Sequence, residues 1–300
     1  MFAGSVEPIL PIPADLPDLD AKKVALGFSL FSDKRMSHDD TIACSSCHQL
    51  NQAGVDHRRF FSGIKGQIGD INTPTIFNSR FNFRQFWNGR APTLEDQIDS
   101  PVSSPGKMGS SWEEVIGKLR LDETYPTLFL KIYEDGITAK NIKDALATFE
   151  RSLVTPNSRF DQFLRGNSHA ITADELNGYK LFKSYGCISC HQGMNVGGNM
   201  FEKLGIMNDY FNTKGQLSEA DMGRYSYTKV TENLHEFKVP SLRNVARTAP
   251  YFHDGSAATL SAAVIIMGKY QLGLDLPADD VTKIAAFLNT LTGEYNGSPL

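Results

Sequence analysis

The 300-residue sequence predicts a mainly α-helical protein of two similar domains joined by long loops. Three observations predict this. The length is a prior for two domains. A Cys-x-x-Cys-His motif occurs twice, at Cys44, Cys47 and His48 and again at Cys187, Cys190 and His191. Each motif follows a short aromatic-rich helical pattern and precedes a closing apolar helix, whereas regular strand alternation is hard to find anywhere.

The elements can be justified in chain order. Met1-Phe2-Ala3-Gly4-Ser5 has neither a charged nor an apolar leader segment, and reads as the start of a mature exported chain whose signal is already removed. Pro8, Pro11, Pro13 and Pro17 predict an extended strap on the surface, because proline cannot continue a helix. Gly27-Phe28-Ser29-Leu30-Phe31 leads the first motif, and the stripe Ile142, Leu146, Phe149 and Leu153 closes that half. Helical pattern breaks between 155 and 171, at Thr155-Pro156-Asn157-Ser158 and Gly166-Asn167-Ser168. The expected domains are therefore 1–160 and 161–300. Thr172 and Glu175 form a capping box that opens the second domain. Gly178-Tyr179-Lys180-Leu181-Phe182 leads the second motif, a Gly- and Asn-rich loop from Val196 to Gly205 follows it, and Val281, Ile284, Leu288 and Leu291 close the chain. A leading helix, the motif and a closing helix are the plan of a small class I cytochrome c, here used twice.

Composition narrows the function. Hydrophobic residues make up 41%, enough for ordinary cores, and no apolar run is long enough to span a membrane. The net charge of −4 has no dense Lys/Arg block, so no nucleic-acid surface is expected. A basic partner is compatible with that balance and not required by it.

All four cysteines fall in the two motifs, leaving none for a disulfide, a catalytic thiol or a zinc site. Two residues between cysteines place both sulfurs for thioethers to the haem vinyl groups, with the next histidine as proximal iron ligand. Two covalently bound haem c groups are expected. The other axial position decides whether a haem carries electrons or binds a small oxidant. For the second haem, the residues alone leave Met194, Met200, Met207, Met222 and Met267 open.

Further blocks carry a resemblance. They are Asn72-Thr73-Pro74-Thr75 through Phe86-Trp87-Asn88-Gly89-Arg90-Ala91, Phe149-Glu150-Arg151-Ser152-Leu153, Lys238-Val239-Pro240-Ser241-Leu242-Arg243-Asn244-Val245, and Pro250-Tyr251-Phe252-His253-Asp254-Gly255. Over nearly the whole chain, from Leu26 to Gly293, the sequence resembles the bacterial di-haem cytochrome c peroxidases together with MauG and its relatives. The resemblance implies two haems near the domain interface. Met267, fourteen residues after His253, would be the distal ligand of a high-potential C-terminal haem. Trp87 would relay electrons or holes between the haems. Asn72 and the backbone carbonyls of Thr248 and Pro250 would hold one calcium ion, an all-oxygen set that suits it. Gln97 would belong to the catalytic site with the residue at position 107.

Two departures follow. The histidine that closes the N-terminal haem in standard peroxidases is replaced by Ile64, which cannot coordinate iron; His57 upstream is the alternative ligand. The family's acid/base glutamate falls on Lys107. Peroxide cleavage needs a group that takes a proton from one oxygen and gives it to the other, which an ammonium cannot begin. Lys107 would therefore be neutral through burial and act as base, bind the iron as an amine, or point to solvent with Glu113 or Gln97 in its place. Arg84 and Arg90 are candidates for the haem propionates. His253 and Asp254 read as structural pocket residues, His38, His169 and His235 as exposed or locally bonded, and Trp112 as core.

The expected activity is reduction of hydrogen peroxide at the N-terminal haem, with electrons from a small cytochrome c or copper protein entering at the C-terminal haem. The alternatives are a MauG- or MbnH-like oxidase acting on a residue of a partner protein, and a non-enzymatic electron carrier or sensor with a closed N-terminal iron. Covalent haem attachment implies the periplasm, and the resemblance allows a homodimer.

Overall fold

The computed structural model describes residues 7–13 and 15–300, so the expectation about Met1 to Ser5 lies outside the described residues. Helices dominate, and in chain order they are α1 (Ala21–Phe31), α2 (Cys44–Cys47), α3 (Leu94–Ser103), α4 (Trp112–Arg120), α5 (Tyr125–Leu130) and α6 (Ala139–Ser152) in the first half. The second half holds α7 (Arg159–Leu164), α8 (Ala173–Ser184), α9 (Tyr225–Thr228), α10 (Leu260–Ile266) and α11 (Ala278–Asn289). The strands are short antiparallel pairs: β1 (Phe201–Lys203) with β2 (Glu236–Lys238), and β3 (Glu294–Tyr295) with β4 (Ser298–Pro299). β1 falls inside the segment expected to be wholly loop.

Each half is built on one helix crossing, α1 over α6 and α8 over α11. The crossings are close because each leading helix presents a glycine. A Cβ on Gly27 would lie 2.1 Å from the Ala145 carbonyl oxygen, and one on Gly178 would lie 1.9 Å from that of Lys283. The sequence repeat Gly-aromatic-x-Leu-Phe is thus a packing requirement met twice. Helix starts follow the local chemistry: the Thr138 side chain caps α6, and Thr172 and Glu175 form the reciprocal box that opens α8.

Two hydrophobic clusters result. One joins Leu26, Leu30, Phe31, Leu94, Val115, Phe129, Ile142, Leu146, Phe149 and Leu153; the other joins Phe160, Tyr179, Phe182, Val264, Val281, Ile284, Phe287, Leu288 and Leu291. The chain ends cross over between them. Ile9 lies in the second cluster, while Tyr295 and Leu300 pack against the first.

The proline-rich strap does not merely wrap the surface. Ile9 and Ile12 are fully buried, the Leu10 N–H donates to Gly193 O at 3.3 Å, and Gly193 returns a bond to Pro8 O at 2.8 Å. The apolar residues between the prolines account for this, since an extended proline-rich chain with three residues per turn puts Ile9 and Ile12 on one face. Arg243 locks the strap, donating to Leu10 O at 2.8 Å and pairing with Asp161 at 2.7 Å with both side chains wholly buried.

Candidate functional site

The two Cys-x-x-Cys-His segments adopt matching local geometry. The His48 N–H donates to Cys44 O at 2.9 Å, and the His191 N–H donates to Cys187 O at 3.0 Å. This turn leaves all four cysteines half-buried and unpaired. His48 Nδ1 lies 3.2 Å from Gly54 O, and His191 Nδ1 lies 3.4 Å from Val196 O. Each carbonyl can take only the Nδ1 proton, which leaves Nε2 as the metal-binding nitrogen. Burial keeps both imidazoles in the neutral ligand form: it lowers the pKa of His48 and pulls that of His191 down to about 4. Beside His191 the backbone is drawn in, since a Cβ on Gly197 would lie 2.3 Å from Pro240 O and 3.3 Å from His191 Nδ1. Free thiols and oriented imidazoles fit haem c at both motifs, and the second adds a glycine-allowed backbone approach.

The pocket over the first motif carries charge. A cleft of about 460 Å³ opens beside Cys47, lined by Asp39, Asp56, Arg58, Ser62 and Lys65 among others. Ile64 is buried, and its N–H donates to Lys107 O at 2.8 Å, so the two departures from the family pattern sit side by side. Lys107 does not point to solvent. Its Nζ lies over the Phe61 ring, 4.9 Å from the centroid, and 5.9 Å from that of Phe86, with no hydrogen-bond partner among the described residues. Burial first, then the nearby Arg90 charge, lowers the ammonium pKa to about 8. The same ammonium is close enough to add to the lowering of the His48 pKa, after burial.

The other sequence candidates distribute as follows. Gln97, on α3, gives its amide to Glu150 rather than to Lys107, with Nε2 2.9 and 3.1 Å from the two carboxylate oxygens. Glu113 is at the exposed start of α4 and takes no part in the pocket. His57 is exposed and its Nδ1 meets Ala249 O at 2.9 Å, which ties it to the backbone of the second half. Arg90 donates to Asn88 Oδ1 at 3.2 Å and to Ser100 Oγ at 2.8 Å, while its guanidinium lies 3.5 Å from the Phe86 ring centroid. Trp112 is half-buried against the first cluster, with its indole on Asp99 at 2.8 Å.

Between the halves, Trp87 donates its indole N–H to Asn72 O at 3.0 Å, and its ring meets His253 edge-on at 6.4 Å. Asn72 is buried, its Nδ2 donates to Arg58 O at 2.9 Å, and its N–H donates to His253 O at 2.7 Å. This brings Asn72 to the segment that contains Thr248 and Pro250. Met267 is half-buried and opens a π-helical turn, Met267–Leu272, directly after α10.

Sequence reasoning missed two groups. Glu150 is 7% exposed, and burial raises its carboxyl pKa to about 8, partly offset by the Gln97 bond. The second is a network in which His253 Nε2 meets Asp221 at 2.7 Å, Lys214 meets Asp221 at 2.5 Å, and Lys214 also pairs with Asp254. Lys214 supplies the positive charge of this cluster. No local pattern marks Glu150 as buried, because it lies beside the stripe and not in it.

Comparison with known proteins follows from these sites. A family model described as di-haem cytochrome c peroxidase matches residues 21–169. The cytochrome c peroxidase Ccp of Escherichia coli K12 is 50% identical over 96% of this chain, which spans 62% of that relative's length. The cytochrome c551 peroxidase of Nitrosomonas europaea is 44% identical over 96% of this chain and 85% of its own. Among solved structures, a MauG-like protein associated with microbial copper homeostasis superposes with a TM-score of 0.82 at 29% identity, covering 96% of this chain and 93% of that one.

Proposed function

The chain belongs to the di-haem cytochrome c peroxidase family, and from that premise we propose that it reduces hydrogen peroxide to water at the His48 site. The family implies two haem c groups, which Cys44, Cys47 and His48 and Cys187, Cys190 and His191 would hold, with Met267 as the second protein ligand at the C-terminal site. When bound, the haem at His48 supplies an iron that takes peroxide and promotes O–O cleavage.

The protein's own residues define the rest. Ile64 offers no ligand atom, and its buried side chain excludes water from its side of the pocket. Lys107 Nζ is the one titratable side-chain atom that stands over Phe61 in this pocket. As a neutral amine it takes the proton from one peroxide oxygen and returns it to the other, so that two protons and two electrons give two waters. Burial is what makes the neutral amine accessible. Trp87 would pass electrons from the C-terminal site, and Asn72 with the carbonyls of Thr248 and Pro250 would hold a calcium ion between the halves. Among the described residues, no donor reaches Asn72 Oδ1, which supports a cation there. Electrons would come from a small periplasmic cytochrome c or copper protein, and among the described residues no helix is long and apolar enough to cross a membrane.

The observation that carries this reading is the pairing of Ile64 with Lys107 over the first motif. Its test is low-temperature EPR of the ferric protein before and after one equivalent of peroxide. A high-spin signal beside a low-spin one, lost on adding peroxide, is expected. Two low-spin signals unchanged by peroxide would show a closed site and an electron carrier, with Lys107→Ala then expected to open it. The same Ile64 favours a second reading, a MauG-like oxidation of a partner protein. Peroxide consumed without any small donor, together with a covalently altered co-purifying protein, would select it.

A further inference from the structure

Lys238 ends strand β2 with 8% of its surface exposed. Its backbone is fully engaged: the N–H donates to Trp87 O at 2.8 Å, and the residue pairs with Phe201 across the β1–β2 ribbon. Its side chain is not. Among the described residues, Nζ has no hydrogen bond, no carboxylate at ion-pair distance and no aromatic ring beneath it. An ammonium withdrawn from water without a counter-charge is strongly disfavoured, so buried cations are found paired.

The comparison within the molecule is direct. Arg243 meets Asp161, and Lys214 meets Asp221 and Asp254. Lys238 has no such carboxylate among the described residues. Burial alone lowers its pKa to about 8, as expected for a cation whose anion comes from elsewhere. Position identifies that anion. Two residues on, Pro240 O lies against Gly197 and faces the ring of His191. The chain leaves β2 at Lys238, whose N–H meets Trp87 O, and reaches the second Cys-x-x-Cys-His site two residues later at Pro240. Of the two propionate candidates named from the sequence, Arg84 and Arg90, the latter spends its guanidinium on Asn88 and Ser100.

We propose that Lys238 binds a propionate of the haem held by Cys187, Cys190 and His191, and that its charge raises the reduction potential of that haem. A fixed positive charge favours the state with one more electron. The inference rests on haem attachment at the second motif and not on peroxide reactivity.

The test is a spectroelectrochemical titration of the holoprotein and of Lys238→Met. At a fixed potential, the ratio of reduced to oxidised C-terminal haem should fall about tenfold in the variant, which is about 59 mV for a one-electron couple. The N-terminal haem should not move, and Lys238→Arg should keep the wild-type midpoint. An unchanged midpoint in Lys238→Met overturns the proposal, as does a drop in Lys238→Arg equal to that in Lys238→Met. Should Lys238→Met bind one haem per chain by pyridine haemochrome assay, Lys238→Arg decides: two haems per chain support anchoring by charge, and one overturns it. A wild-type protein with a single haem per chain removes the premise, whatever its reactivity with peroxide.

Discussion

The two haem-binding motifs share their local turn and their orienting carbonyls, yet their surroundings differ in kind. Around His48, Lys107, Arg90, Asp56 and Arg58 bring charge to a site that opens on a cleft of about 460 Å³. Around His191, the groups that bear on the imidazole are the carbonyls of Val196 and Pro240, and Phe182 stands 6.4 Å from its ring. Apolar burial is enough to bring that histidine's pKa to about 4. Charged side chains therefore bear on the first histidine, whereas backbone carbonyls bear on the second. A repeated scaffold holds the two histidines alike, and the side chains beyond them differ.

That contrast can be broken, beginning with the largest effect. Asp161→Ala leaves Arg243 buried and unpaired, and should cost the second half about 3–5 kcal/mol in urea denaturation. Lys107→Glu gives the first pocket a base that is already ionised at low pH, and should raise peroxide turnover about 100-fold at pH 6. The wild-type profile sharpens the same point. Below a pKa of about 8, Lys107 is mostly ammonium and unable to accept a proton. Its kcat/KM for peroxide should therefore rise about tenfold per pH unit toward pH 8 and level above it, a rise absent from Lys107→Glu. The scaffold, in contrast, should respond alike in both halves. Gly27→Ala and Gly178→Ala each push a Cβ into a facing carbonyl and should each lower stability by about 1–3 kcal/mol in thermal melts. Smallest of all, Glu95→Ala removes a pair with Arg151 whose side chains are each 31% exposed, and should cost at most about 1 kcal/mol.

What the sequence made legible follows the range of the signal. The cysteine spacing, the closing stripes and the Thr172–Glu175 box are each contained within about three helical turns, and each recurs in the structure. The fold class and family were readable on that basis. Long-range partners were not. Nothing near Ile9 says that it enters the second core, and nothing near Gln97 says that its amide meets Glu150, 53 positions later. Lys107 marks the boundary: its departure from the family pattern was visible in the sequence, but its inward direction depends on Phe61 and Phe86, which only the folded chain brings beneath it. Glu113 failed as a substitute for the same reason, since proximity in sequence placed it on an exposed helix start.

The crossed termini constrain the order in which the molecule can be finished. A chain that emerges from its N-terminus delivers Ile9 before the helices that cover it, α8 and α11, exist. The first cluster in turn waits for Tyr295 and Leu300, far downstream of its own helices. Each half therefore needs residues from the opposite end of the described sequence. The topology is in effect a clasp that shuts last.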